Sequence, residues 1–216
     1  MEEFVALLTK PYQHTDISAI VLEILAVIFG ITNVFLTKKE NIKSFFFGIG
    51  STLIFIYLCF QNHLYGDIII NVYFTLMSLY GFYQWSRKDE NNTQISVSRT
   101  TWKDWQKAFY IFVASFLFVL TIYKFNDRIS DITGWMDTFT TSIFFAAMWL
   151  SAHKKLECWF LWMTGNLISI PLYFSKGLLF ASFLFCVYFT LAVVVYFDWK
   201  KKSTKLSDKL VLQEGL

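Results

Sequence analysis

Trp159, Trp162 and Asn166 stand at i, i+3 and i+7 in an uncharged stretch. In a helix that spacing puts two indoles and a carboxamide on one face. Such a face can stack a flat ring and hydrogen-bond a ribose or a carboxamide. Further polar groups interrupt other apolar stretches: Glu23, Asn33, Ser51, Asn71 and Asp137. Polar groups inside membrane-length helices are costly, and each one calls for a partner or a role. Each also has a plain alternative. Buried Asn and Ser tie helices together, Trp159 can be an interfacial belt residue, Asp137 can cap a helix start, and Gly165 with Ser169 can form a small-residue seam. Glu23 reads either as a proton-coupling carboxylate or as a hydrogen-bonded structural acid.

Other chemistries lack their signatures. The chain has no phosphate-binding GxxxxGK[ST] loop, HExxH or GxSxG. His14, His63 and His153 are isolated, with no metal-ligand spacing. Cys59, Cys158 and Cys186 lie far apart in apolar stretches and read as small buried hydrophobes. No cofactor, ATP-driven motor or enzymatic centre is expected, and a net charge of +3 is too small to suggest nucleic acid.

The elements that must position these residues follow from composition. The 216 residues are 56% hydrophobic and only 16% charged, against about 25% charged in soluble domains. Long uncharged stretches alternate with short charged clusters. A helix needs about 20 mostly apolar residues to cross a bilayer. Seven stretches qualify: 18–36, 44–60, 68–85, 105–123, 132–150, 159–174 and 178–199. The expected fold class is therefore all-α integral membrane with seven transmembrane helices. Ser86–Asp104 reads as a solvated linker, and residues 200–216 as a polar, mobile tail. The start Met1-Glu2-Glu3 lacks a basic region, so no cleaved signal peptide is expected.

With seven spans, fifteen of the nineteen Lys and Arg fall on the carboxyl-terminal side. The positive-inside bias then predicts a cytoplasmic carboxyl terminus and an outside amino terminus. Val72-Tyr73-Phe74-Thr75 recurs 115 residues later as Val187-Tyr188-Phe189-Thr190, while Trp85 falls on Trp199 at a shift of 114. This predicts two three-helix bundles, 18–85 and 132–199, joined by a cytoplasmic linker at 86–104 and a connecting helix at 105–123. Segment 1–17 lies outside and 200–216 inside. Such 3+1+3 parallel repeats give a SWEET-like transporter architecture with its site near the midplane between them.

The chain resembles the PnuC nicotinamide riboside transporters over about residues 17–200. The resemblance rests on Leu22-Glu23, Phe46-Phe47-Gly48, Leu64-Tyr65-Gly66-Asp67 and Tyr80-Gly81-Phe82-Tyr83-Gln84-Trp85. In the second half it rests on Trp135-Met136-Asp137-Thr138, Trp159-Phe160-Leu161-Trp162 with Asn166, Ile168-Ser169-Ile170-Pro171-Leu172 and Lys176-Gly177. It implies a homotrimer in the bacterial inner membrane. It also implies facilitated diffusion of nicotinamide riboside, drawn inward by a cytoplasmic kinase. The substrate-contacting set it implies is Trp159, Trp162, Asn166, Asn71 and Phe74, to which Asp137 and Tyr188 are added, with Glu23, Ser51 and Asn33 as buried polar or gating positions. Ser51 and Ser78 stand where relatives carry Asn, and Phe82 where Trp is common. A related branch carries thiamine, which is the alternative substrate.

Overall fold

A computed structural model describes residues 16–88, 95–125 and 132–214. The amino-terminal segment to residue 15, with Lys10, linker residues 89–94 and residues 126–131, with Arg128, lie outside the described residues. Among the described residues seven helices follow one another: α1 (Ile17–Lys38), α2 (Ser44–Gln61), α3 (Tyr65–Ser86), α4 (Trp102–Phe125), α5 (Ile132–Ala152), α6 (Cys158–Ser175) and α7 (Leu179–Glu214). Each holds one predicted span, so the seven-helix, all-α expectation is borne out. Four of them, α1, α2, α4 and α7, are long and apolar enough to cross a membrane on composition alone. The other three, α3, α5 and α6, are diluted by polar residues, and these helices carry most of the candidate site.

Short turns make successive helices antiparallel neighbours. Packing runs α1 to α2, α2 to α3, α3 to α5, α5 to α6, α6 to α7 and α7 back to α1, closing a ring of six helices. α4 leans on α5. Its buried stripe of Ala108, Ser115, Val119 and Tyr123 recurs at helical spacing, and Phe112 meets Phe139 of α5 edge-on at 5.6 Å. Its opposite face, with Phe109, Tyr110, Val113 and Leu117, is exposed. The same inversion runs through α1, where Val21, Ile24 and Ile28 face outward. Meanwhile Thr138, Ser142, Asn166 and Ser169 are buried. Apolar outside and polar inside suits hydrocarbon as the solvent. The buried hydroxyls of α5 are satisfied locally: Thr138 donates to the Gly134 carbonyl (2.9 Å) and Ser142 to that of Thr138 (2.7 Å).

The turns repeat one backbone pattern. Between α1 and α2 the amides of Lys39, Glu40 and Asn41 donate to the carbonyls of Leu36, Thr37 and Leu36. Between α5 and α6, 114 residues on, His153, Lys154 and Lys155 donate to Leu150, Ser151 and Leu150. The other pair of turns behaves alike, with Asn62, His63 and Leu64 bonded to Leu58, Phe60 and Cys59. Their counterparts Lys176, Gly177 and Leu178 bond to Leu172, Phe174 and Tyr173. Even the left-handed residues coincide: Glu40 (φ 54°) with Lys154 (50°), and His63 (54°) with Gly177 (75°). The offset is 114 in the turns on both sides of α2 and α6, and Trp85 and Trp199 keep it at the far ends of α3 and α7. The tetrapeptide match at 115 lies one residue away from the register of the turns, at which Phe74 rather than Tyr73 falls on Tyr188.

Two expectations are corrected at the end of the molecule that carries most of the basic residues, the basic end. The linker is not solvated throughout. Ser98 bridges the α5–α6 turn through Ser98 N–H to Lys154 O (3.1 Å) and Leu156 N–H to Ser98 O (2.9 Å), and Val97 is buried. Thr100 adds amide and hydroxyl bonds to the Glu157 carboxylate (2.7 and 2.6 Å). α4 starts at Trp102 rather than 105, because Thr101 and Asp104 form a reciprocal capping box: the Thr101 amide donates to Asp104 (3.0 Å) and the Asp104 amide to Thr101 Oγ1 (3.3 Å). Nor is the tail without structure. α7 continues past Trp199 to Glu214, since no Gly or Pro stands before Gly215 to stop it.

Candidate functional site

α5 carries two adjacent phenylalanines that face different neighbours. Phe145 stacks on Tyr73 of α3 (3.7 Å between centroids, 9° between planes) and meets Phe74 edge-on at 5.6 Å. The Tyr73 hydroxyl donates to the Phe145 carbonyl (3.0 Å), fastening α3 to α5. Phe144 stacks on Trp162 of α6 (5.3 Å, 27°) and lies parallel to Phe185 of α7 at 6.5 Å. One aromatic wall thus runs from α3 across α5 to α6 and α7. Gly165 makes it possible: a Cβ there would overlap the Phe144 ring, so only glycine lets that ring rest on the α6 backbone.

Asn166 follows on the same helix, four residues from Trp162. It is 4% exposed, and its carboxamide has no hydrogen-bond partner among the described residues. Its amide atoms are not sealed from solvent, unlike Trp159 Nε1 and Ser169 Oγ. Beside Trp162 it forms a stacking surface with an unused donor and acceptor. On the first-half side, Asn33 Nδ2 and Ser78 Oγ both lie 3.4 Å from where a Cβ on Gly48 would stand.

The remaining predicted residues are dispersed. Trp159 sits at the basic end, buried and edge-on to Trp199 (5.4 Å, 90°), with its Nε1 buried and unpartnered. Asn71 turns back on its own helix, donating to the Asp67 carbonyl (2.9 Å). Ser51 donates to the Ala26 carbonyl (2.8 Å), tying α2 to α1. Tyr188 brings its hydroxyl to 2.5 Å from where a Cβ on Gly30 would stand, on the α7–α1 seam. Asp137 is ion-paired with Lys176 at the opposite end of the molecule. Glu23 is partly buried and engaged. Sequence reasoning missed Phe144, Phe145 and Tyr73 as site-building residues. The spacing of Phe144 seven residues after Asp137 was the available signal.

At the basic end, Glu40 pairs with Lys154 (3.3 Å) and Lys202 (2.9 Å). Lys154 is 2% exposed and lies 4.4 Å over the Trp85 ring. Burial draws the Lys154 ammonium below the ordinary lysine value, while Glu40 pulls it back up. Trp85 meets Phe45 edge-on (5.0 Å, 86°) and Trp199 at 6.2 Å.

A ring of helices with apolar outer faces and buried polar and aromatic residues defines a polytopic helical membrane protein. The model of the nicotinamide mononucleotide transporter family matches residues 20–201. The chain belongs to that family, whose members are transporters rather than enzymes, and the resemblance to PnuC proteins is borne out. A riboflavin/roseoflavin transporter, RibM, of Streptomyces davaonensis is 27% identical over 158 residues, 72% of this chain and 73% of that one. The nicotinamide riboside transporter PnuC of Escherichia coli is 25% identical over 182 residues, 72% of this chain and 75% of its own length. A crystal structure of the vitamin B3 transporter PnuC superimposes with a TM-score of 0.63 at 20% identity, covering 85% of this chain and 82% of that one. That likeness is one of fold.

Proposed function

We propose that the chain moves a flat vitamin of the nicotinamide riboside type across the bacterial inner membrane. The observation that carries this is the Phe144–Trp162 stack beside the unpartnered Asn166 carboxamide. A pyridine ring fits the stack, and its carboxamide or ribose hydroxyls satisfy Asn166. The matching turns at an offset of 114 support reading 18–85 and 132–199 as two like-oriented triplets, with 105–123 as the connecting helix, in the SWEET-like manner. The ring order supports it too, since exchanging the triplets turns the α3–α5 seam into the α7–α1 seam. The charge bias supports a cytoplasmic basic end and an outside amino terminus. Asn71, Phe74, Tyr188 and Asp137 line the approach, and the working unit is a homotrimer.

Nothing in the stack supplies energy for accumulation. Net uptake therefore comes from consumption of the vitamin by a cytoplasmic kinase. The similarity to RibM favours riboflavin as a second substrate reading; thiamine is the third. Liposomes holding the purified protein, with and without a nicotinamide riboside kinase inside, test this. Labelled nicotinamide riboside is expected to equilibrate without kinase and to accumulate with it. Equilibration of riboflavin or thiamine alone would reassign the substrate, and uptake of none of the three would overturn the transport reading.

A further inference from the structure

Building on the transport reading and its repeat frame, we propose that the basic end is the cytoplasmic gate of the path, closed here by residues that meet their own repeat counterparts. A residue touching its counterpart must lie near the line that exchanges the two triplets. Two successive layers do so. Glu40 pairs with Lys154 at 3.3 Å, and Trp85 meets Trp199 at 6.2 Å. In each pair the partners stand 114 residues apart and share the turn or helix end they occupy. The Lys154 ammonium over the Trp85 ring, at 4.4 Å, joins the layers. Each Trp is braced from its own triplet by an edge-on aromatic, Phe45 on Trp85 and Trp159 on Trp199, and these braces are counterparts as well. A path running along this line is therefore filled at this end.

The chemistry suits a gate better than a permanent plug. Identical charges at such a position would repel; here opposite charges face one another. A buried ion pair gains Coulomb energy but loses hydration, and the two nearly cancel. Only Lys154 is shut away, while Glu40 stays part-exposed and also meets Lys202, so the closed paired state and an open state with both groups hydrated are both satisfied and the equilibrium between them can be shifted by little. Hydrogen bonds from Trp199 Nε1 to the Thr37 carbonyl (3.2 Å) and from Lys202 Nζ to the Lys38 carbonyl (3.0 Å) close the α7–α1 side of the same end.

The test uses the full chain with Cys59, Cys158 and Cys186 replaced by Ser and with Ala192→Cys as reporter. Ala192 is buried on α7, two turns inside Trp199 and within the same cluster. A membrane-impermeant maleimide is applied to the cytoplasmic face of inside-out vesicles. Glu40→Met leaves Lys154 buried without a carboxylate, and labelling is expected to rise about tenfold, equivalent to about 1.4 kcal/mol of lost closed-state bias. Glu40→Met with Lys154→Met removes both charges and keeps the plug apolar, returning labelling to the slow reference rate. Unchanged labelling in the single variant, or a double variant as fast as the single, would overturn the gate. The reporter reads access without any vitamin. Absent uptake therefore bears on the transport reading, and flat labelling on the gate alone.

Discussion

Asn166 is 4% exposed and makes no hydrogen bond among the described residues, yet its amide atoms are not sealed off as Trp159 Nε1 and Ser169 Oγ are, so the carboxamide stands open to an entering partner. Asn166→Ala is therefore expected to leave the apparent Tm about unchanged and to abolish the rise in Tm expected of the native chain with nicotinamide riboside. A fall in Tm with the ligand shift retained would make Asn166 a packing residue. Its neighbour Trp162 supplies the stack. Base–aromatic stacking is worth about 1–3 kcal/mol, so Trp162→Ala should weaken Kd by roughly 5- to 150-fold, read by titration. Gly165→Ala acts on neither group directly. Its methyl displaces the Phe144 ring, and affinity is expected to fall while α6 keeps its helicity by circular dichroism. Trp162 and Asn166 were legible in the sequence because a polar amide at helical spacing from an indole is conspicuous in an apolar stretch. Phe144, Phe145 and Tyr73 were not. A phenylalanine facing lipid and one facing an internal ring have the same neighbours in sequence, and only packing separates them.

Helices were legible where length and apolarity alone define them, and their ends were misread where local hydrogen bonding decides. α4 begins three residues early because Thr101 and Asp104 satisfy each other's amides, and Asp104 also pairs with Lys155 at 3.0 Å. Asp104→Ala should lose that cap, at a cost of about 1 kcal/mol, seen as a lower Tm of the purified chain. The stretch from Ile95 to Thr101 reads as polar sequence, yet Thr100 and Ser98 fix it to the α5–α6 turn. Thr100→Val removes the hydroxyl bond to Glu157. The Ser98 and Leu156 amides are then expected to exchange hydrogen faster, while α5 and α6 amides keep their protection; equal rates would mean that the strap holds without Thr100. The frame of the repeat was also blurred in sequence. Aromatic residues are so frequent that a tetrapeptide matched one residue away from the register set by the turns. Backbone bonds in the turns do not depend on side-chain letters, and they carry the offset cleanly.

For the whole molecule, six helices in a closed ring explain why polar residues collect on α3, α5 and α6 while α1, α4 and α7 turn apolar faces outward. In the proposed mechanism, binding on a stacking surface sets affinity and selectivity but creates no gradient, so direction of transport is assigned to consumption inside the cell. The central claim is that the aromatic wall between the triplets holds a flat vitamin. Calorimetric titration of the purified chain with nicotinamide riboside, riboflavin and thiamine, repeated on Trp162→Ala, tests it most directly. One site per chain for nicotinamide riboside, weakened at least about fivefold by the substitution, is the expected result. Binding of equal strength in both proteins, or none to any of the three vitamins, would contradict it.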